Sequence, residues 1–132
     1  MSFLIDSHTF LWSMFEPACL SNTARDVMLD PEQDIFVSKV TFWELSLKYG
    51  LGKLQLEGVT PEAFPKAAED AGFTILPVDA ATAASFYQLP QKPHKDPFDR
   101  LLAWQAIRED HTLISCDPDF DNYRAHGLQL LW

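Results

Sequence analysis

The chain reads as an α/β domain built on a mostly parallel central sheet of four to five strands, with helices on both faces. Three observations predict this. Short apolar runs recur, among them Phe3-Leu4-Ile5, Ile35-Phe36-Val37 and Leu113-Ile114. They lack the polar alternation of a half-solvated strand, so they suit strands buried on both sides. Longer stretches with helical capping signals separate them, the order expected of β-α-β units.

The elements follow in order. Ser2 to Ile5 is the first strand, and Asp6-Ser7 can cap a helix to about Phe15. Pro17 interrupts the chain there. Ser21-Asn22 can cap a second helix to Leu29, ended by Asp30-Pro31. Ile35 to Val37 is a second strand, and Ser38 caps a helix from Lys39 to Tyr49 that Gly50 and Gly52 stop. Thr60-Pro61-Glu62 opens a helix to Ala71, with Gly72 as its stop. Pro65 falls late for a first turn and predicts a distorted start. Phe73 to Leu76 is a third strand and Asp79 to Tyr87 a short helix. A polar, proline-bearing loop spans Leu89 to Lys95. Asp96-Pro97 opens a helix to Glu109, Leu113 to Ser115 is a fourth strand, and Asp117-Pro118-Asp119 turns into a short helical piece. Leu128 to Leu131 is a last strand. No repeat, linker or low-complexity segment divides the 132 residues, so 1–132 is expected to be one domain.

Composition narrows the function classes. The apolar fraction of 47%, with ten Phe and four Trp, supplies a real core. Two Cys, Cys19 and Cys116, do not make a disulfide framework, so a reducing compartment, the cytoplasm, is expected. The N-terminus has no basic segment leading into an apolar run, and no stretch is long enough for a membrane span. The net charge of −9 argues against holding nucleic acid by broad attraction. It leaves room for a nuclease whose metal ions offset the acidity locally. One basic run, Gln91-Lys92-Pro93-His94-Lys95, stands near Arg100.

Four acids fall where strands should end or helices begin: Asp6, Glu44, Asp99 and Asp117. In open sheets of this kind, ligands bind beyond the C-terminal ends of the strands. Asp6 follows the first strand, Asp117 the fourth, and Asp99 lies in the first turn of the helix between. Glu44 sits halfway along its helix among Val40, Phe42, Trp43, Leu45 and Leu47. A carboxylate there is costly unless a metal or cationic partner relieves it. Asp99 shares a helix face with Leu102, Ala103 and Ala106, so it is expected to point inward. Each Asp also has a capping explanation, and Asp96 is either a cap or an outer ligand.

Oxygen-only donors suit a hard cation, magnesium with manganese as a substitute, and the Cys and His pairing of a zinc site is missing. Such ions clamp the oxygens of a phosphoryl displacement. A four-carboxylate site without a nucleophile therefore fits phosphodiester hydrolysis. Ser38 and Ser115 end strands near this rim and can hydrogen-bond a ligand carboxylate or water. Lys95 and Arg100 are candidates for phosphate contact. His8 is a weaker candidate to line the rim, and His94 to touch substrate.

These residues carry a family resemblance. Asp6-Ser7-His8-Thr9-Phe10-Leu11-Trp12 looks like the opening motif of the PIN-domain ribonucleases, and Ser38-Lys39-Val40-Thr41-Phe42-Trp43-Glu44-Leu45 resembles their second. His94-Lys95-Asp96-Pro97-Phe98-Asp99-Arg100 is similar to the third motif and Ser115-Cys116-Asp117-Pro118-Asp119-Phe120 to the fourth. Among PIN domains the chain looks most like the VapC-type toxins of bacterial toxin–antitoxin pairs. The resemblance implies a single PIN-like domain and a magnesium-dependent endoribonuclease. It also implies a toxin of an often dimeric family, inhibited by a small antitoxin that inserts near the acidic groove. It carries the family's metal-binding acids onto Asp6, Glu44, Asp99 and Asp117, with Asp6 and Asp99 the principal ligands. Ser115 stands where the family commonly has Thr and keeps the hydroxyl. The main rival is a non-catalytic module of the same scaffold whose acidic groove holds a basic peptide. A third reading is a phosphatase or a flap-type nuclease acting on DNA, and the short chain without extra helices disfavours the flap nuclease.

Overall fold

Five strands, β1 (Ser2–Ile5), β2 (Asp34–Ser38), β3 (Thr74–Leu76), β4 (Thr112–Ile114) and β5 (Gln129–Leu131), form one sheet. The structure is a computed structural model and describes residues 1–90 and 96–132. The sheet order is β3-β2-β1-β4-β5 and every pairing is parallel. Parallel neighbours cannot be joined by a tight turn. Helices α1 (Ser7–Phe15), α2 (Asn22–Leu29), α3 (Lys39–Gly50), α4 (Phe64–Asp70), α5 (Ala80–Ser85) and α6 (Pro97–Glu109) make the crossovers.

Side chains alternate across the central strand and feed two cores. Leu4 joins one cluster with Val40, Leu102, Leu113 and Phe120. Phe3 and Ile5 join the other with Phe10, Val37, Phe64 and Ile114. The period of two in β1 therefore decides which face each residue serves. Leu4 and Ile5 are fully buried. Truncating either to Ala is expected to cost roughly 2–5 kcal/mol, because the sheet cannot collapse onto the gap.

The expected single helix from Thr60 to Ala71 is split. A 3-10 turn at Pro61–Ala63 precedes α4, and Pro65 lies in the first turn of α4, where its missing N–H costs nothing. The helix after Asp79 also tightens, with 3-10 geometry at Phe86–Gln88. The piece after Asp117 is longer than expected, a 3-10 stretch from Pro118 to His126. Gly127 ends it at φ +101°, a value that a side chain would strain.

The chain runs outward from β1 to β2 and β3, then crosses back to place β4 on the other side of β1. That reversal is a topological switch point, and the C-terminal ends of β1 and β4 frame its crevice. No described helix is long and apolar enough to cross a membrane.

Candidate metal centre

The crevice is closed at its floor by one carboxylate. Asp6 leaves β1 in extended conformation and caps α1, its Oδ1 accepting from the Thr9 N–H at 2.9 Å. Its Oδ2 accepts from Ser115 Oγ at 2.6 Å, directly after β4. Ser115 Oγ in turn accepts from the Asp117 N–H at 3.1 Å, and Thr9 Oγ1 donates to the Ile114 carbonyl at 3.1 Å. Two hydroxyls thus stitch the switch point together. Burial pushes the Asp6 carboxyl above the ordinary aspartate range, and the hydrogen bonds from Ser115 and Thr9 and the nearby His8 offset part of that.

A second group of acids lies between α3 and α6. Glu44 is only 2% exposed. Its Oε1 accepts from Ser7 Oγ and its Oε2 pairs with Lys48 Nζ at 2.5 Å, one helical turn on. Asp96 caps α6, accepting from the Phe98 N–H at 2.9 Å, and Asp99 sits in the first turn of that helix. Both Asp therefore lie at the positive end of the α6 dipole. Glu44, Asp96 and Asp99 each offer an oxygen, and the three lie within 4.8 Å of one another. Burial alone would lower the Lys48 ammonium. The hydrogen bond to Glu44 and the charges of Glu44, Asp96 and Asp99 outweigh it and hold Lys48 above the ordinary lysine value.

The expected acids therefore fall into two groups. Glu44 and Asp99 come together, and Asp96, expected as a cap or an outer ligand, is both the cap and the third member. Asp6 is tied to this group through its neighbour Ser7, which holds Glu44. Asp117 is tied to Asp6 through Ser115 and caps the 3-10 stretch, accepting from the Asp119 N–H at 2.9 Å. Both Asp6 and Asp117 bear on the Cys116 thiol, which desolvation and then their charges push up, away from a reactive thiolate.

The remaining candidates separate. Ser115 touches an acid as expected. Ser38 caps α3 and donates to Gln105 Oε1 at 2.6 Å, so it braces α3 against α6 rather than touching a carboxylate. Arg100 is buried with its guanidinium 4.6 Å from the Phe86 ring centre, which suits a supporting role and not phosphate contact. Lys95 and His94 lie outside the described residues. Sequence reasoning missed Ser7 and Lys48. The signal for Lys48 was present in the four-residue spacing from Glu44, and for Ser7 in its adjacency to Asp6.

The donor set fits a hard dication. It is all oxygen, one member is nearly fully buried, and the three carboxylates converge within 4.8 Å beside the Lys48 ammonium. The PIN domain profile matches residues 3–125. This chain belongs to the PIN domain family. No curated protein sequence matches it. Its fold is shared with solved structures of low identity. A chain of VapBC2 from Rickettsia felis, bound to a DNA fragment from its promoter, gives a TM-score of 0.69 at 16% identity, covering 99% of this chain and 98% of that one. DNA-bound VapBC from Salmonella typhimurium gives 0.68 at 18% identity, covering 99% and 97%. FitAcB from Neisseria gonorrhoeae gives 0.61 at 24% identity, covering 98% and 96%. In this PIN domain, the acid after β1 lies at the C-terminal end of the central strand, where an α/β fold places its ligands, and Ser7 ties it to the acids of α3 and α6.

Proposed function

We propose that this PIN domain is a magnesium-dependent endoribonuclease and the toxin of a type II toxin–antitoxin pair. The observation that carries the reading is the convergence of Glu44, Asp96 and Asp99 beside a switch point floored by Asp6. Asp99, Glu44 and Asp6 would hold magnesium or manganese, with Asp117 completing the acidic pocket and Asp96 joining from the α6 cap. The ion would supply positive charge to the attacking and leaving oxygens of a phosphodiester. The chain's own groups do the rest. Ser115 and Thr9 orient the Asp6 carboxyl, Ser7 orients Glu44, and the first turn of α6 fixes Asp99.

The partner reading rests on the solved toxin–antitoxin complexes that share the fold. A small antitoxin would cover the acidic groove, and a homodimer and a cytoplasmic setting complete the expectation. The test is cleavage mapping on total cellular RNA with the purified chain. Defined cuts that need magnesium and vanish with chelator are expected, and equal cutting in chelator rules the reading out.

One observation favours the rival binding module. The pocket already accepts an ammonium, that of Lys48, as it would a lysine of a basic peptide. Calorimetry separates the two. Saturable magnesium or manganese binding supports the nuclease, and its absence with tight basic-peptide binding supports the module.

A further inference from the structure

We propose that the cleft formed by His8, Lys48 and Lys53 is a phosphate subsite for single-stranded RNA, with Trp12 as the stacking face for the adjoining base. This rests on the nuclease reading and extends it from the scissile bond to the neighbouring nucleotide.

The cleft has a volume of about 250 Å³ and is lined by Ser7, His8, Leu11, Lys48, Lys53 and their neighbours. Among the described residues no carboxylate is on its lining, and Glu44 stands behind it, bonded to Ser7 and Lys48. Glu44 neutralises Lys48, so in this chain of net charge −9 it is Lys53, with His8 on the same lining, that gives the cleft positive charge of its own. It begins where the acidic pocket ends, because Ser7 and Lys48 are the two side chains that hold Glu44. A strand whose scissile phosphate met the acids would present its next phosphate here.

The backbone builds this pairing of lysines. The Lys53 N–H donates to the Lys48 carbonyl at 2.8 Å and the Gly52 N–H to the Tyr49 carbonyl at 3.1 Å. Gly52 lies at φ +75°. These two bonds around a left-handed glycine are the Schellman ending of a helix. They fold Lys53 back over the last turn of α3 beside Lys48. Among the described residues, Lys53 forms no ion pair of its own.

A larger hollow of about 410 Å³ adjoins the cleft, sharing His8, Leu11 and Leu54 with it. Trp12 forms one wall, with its ring 5.7 Å from His8 and 5.9 Å from Trp132. Glu16 and Glu57 line the same hollow, so it repels a phosphate but accepts an uncharged base. Aromatic faces beside cationic grooves are how single strands are held.

The experiment measures binding of a labelled single-stranded RNA by fluorescence anisotropy, with the 132-residue chain carrying Asp99→Asn to stop hydrolysis. Adding Lys53→Glu is expected to weaken binding roughly 10-fold and to lower the salt slope by about 0.7 per lost phosphate contact. Lys53→Arg should retain affinity. Trp12→Ala is expected to cost about 5-fold or more, and Trp12→Phe to retain most of the binding. Magnesium calorimetry on the Lys53→Glu single variant should match the unsubstituted chain. Unchanged affinity and slope in Lys53→Glu overturn the subsite. Equal competition by polyglutamate also overturns it, by assigning the cleft to acidic protein. Failure of the unsubstituted chain to bind metal or cut RNA overturns the nuclease reading instead, whatever the anisotropy shows.

Discussion

The two acidic groups of this molecule solve the same problem differently. After β1 and β4, Asp6 is buried among neutral donors, the Ser115 hydroxyl and the Thr9 amide, and its carboxyl is pushed toward the protonated form. Between α3 and α6, three carboxylates crowd within 4.8 Å and a lysine supplies the opposite charge. A single buried acid can shed its charge by taking up a proton, whereas a cation lets several crowded carboxylates stay ionised together. The second group is therefore where a dication would gain most.

The largest expected effect follows from that contrast. Asp99→Asn removes one of three converging carboxylates while keeping the helix start, since Asp96 and not Asp99 caps α6. RNA cleavage in magnesium should fall by more than the roughly 10–100-fold that loss of an outer-shell partner costs. Circular dichroism and the melting temperature should stay near those of the parent. Cleavage at the parental rate would remove Asp99 from the centre.

Lys48→Met sharpens the comparison further. Without its ammonium the three carboxylates repel, and Glu44 loses its charged partner. In chelator, stability should fall by about 1–3 kcal/mol, toward the low end because solvent screens so open a site; the Lys48 side chain is 37% exposed. In magnesium the variant should recover, because bound metal stabilises the folded state by mass action. Calorimetry should show metal bound more tightly than by the parent, since the Lys48 ammonium no longer competes. Weaker metal binding would mean that Lys48 supports the ion rather than substituting for it.

The difference between the groups also explains what was legible in the sequence. The sheet was readable because Phe3-Leu4-Ile5 and Ile35-Phe36-Val37 are apolar without alternation, and the caps at Asp6, Ser21, Ser38 and Asp96 stand where strands or loops hand over to helices. Asp6 and Asp99 followed from those boundaries. The splitting of the acids into two groups did not, because it depends on which way α3 leans against α6, a matter of packing. Ser38 shows the limit well. Its position after a strand fits a ligand-orienting hydroxyl, yet its partner is Gln105, sixty-seven residues away. Arg100 shows it again, since a basic residue beside a motif acid turned inward onto Phe86. The last turn of α3 was legible only in part. Gly52 announced a helix stop, but not that the stop would bring Lys53 over Lys48.

A smaller effect is expected at the hydroxyl that orients the floor acid. Ser115→Ala removes the donor to Asp6 Oδ2 and the acceptor for the Asp117 N–H. The loss should be about 1–2 kcal/mol in denaturant unfolding. Ser115→Thr keeps the hydroxyl and should restore most of it. If Ala and Thr behave alike, the bond to Asp6 carries no weight.

The smallest expected effect is at Asp6 itself, and its sign separates the two groups most sharply. Asp6 titrates above its ordinary value in the folded chain because burial disfavours the charged form. A group raised in this way contributes stability that is complete below its unfolded pKa and is lost as pH rises through the folded one. At neutral pH without metal, Asp6 is therefore a net burden on the fold. Asp6→Asn removes the ionisation and keeps a capping carbonyl for the Thr9 N–H, because Asn caps about as well as Asp. In chelator the variant should melt higher than the parent at neutral pH, and the gap should close as pH falls past the ordinary aspartate range. In magnesium the order should invert, because the parent alone gains the ion's full stabilisation. A gap that stays constant with pH would show that the Ser115 and Thr9 hydrogen bonds, rather than desolvation, set the state of this carboxyl.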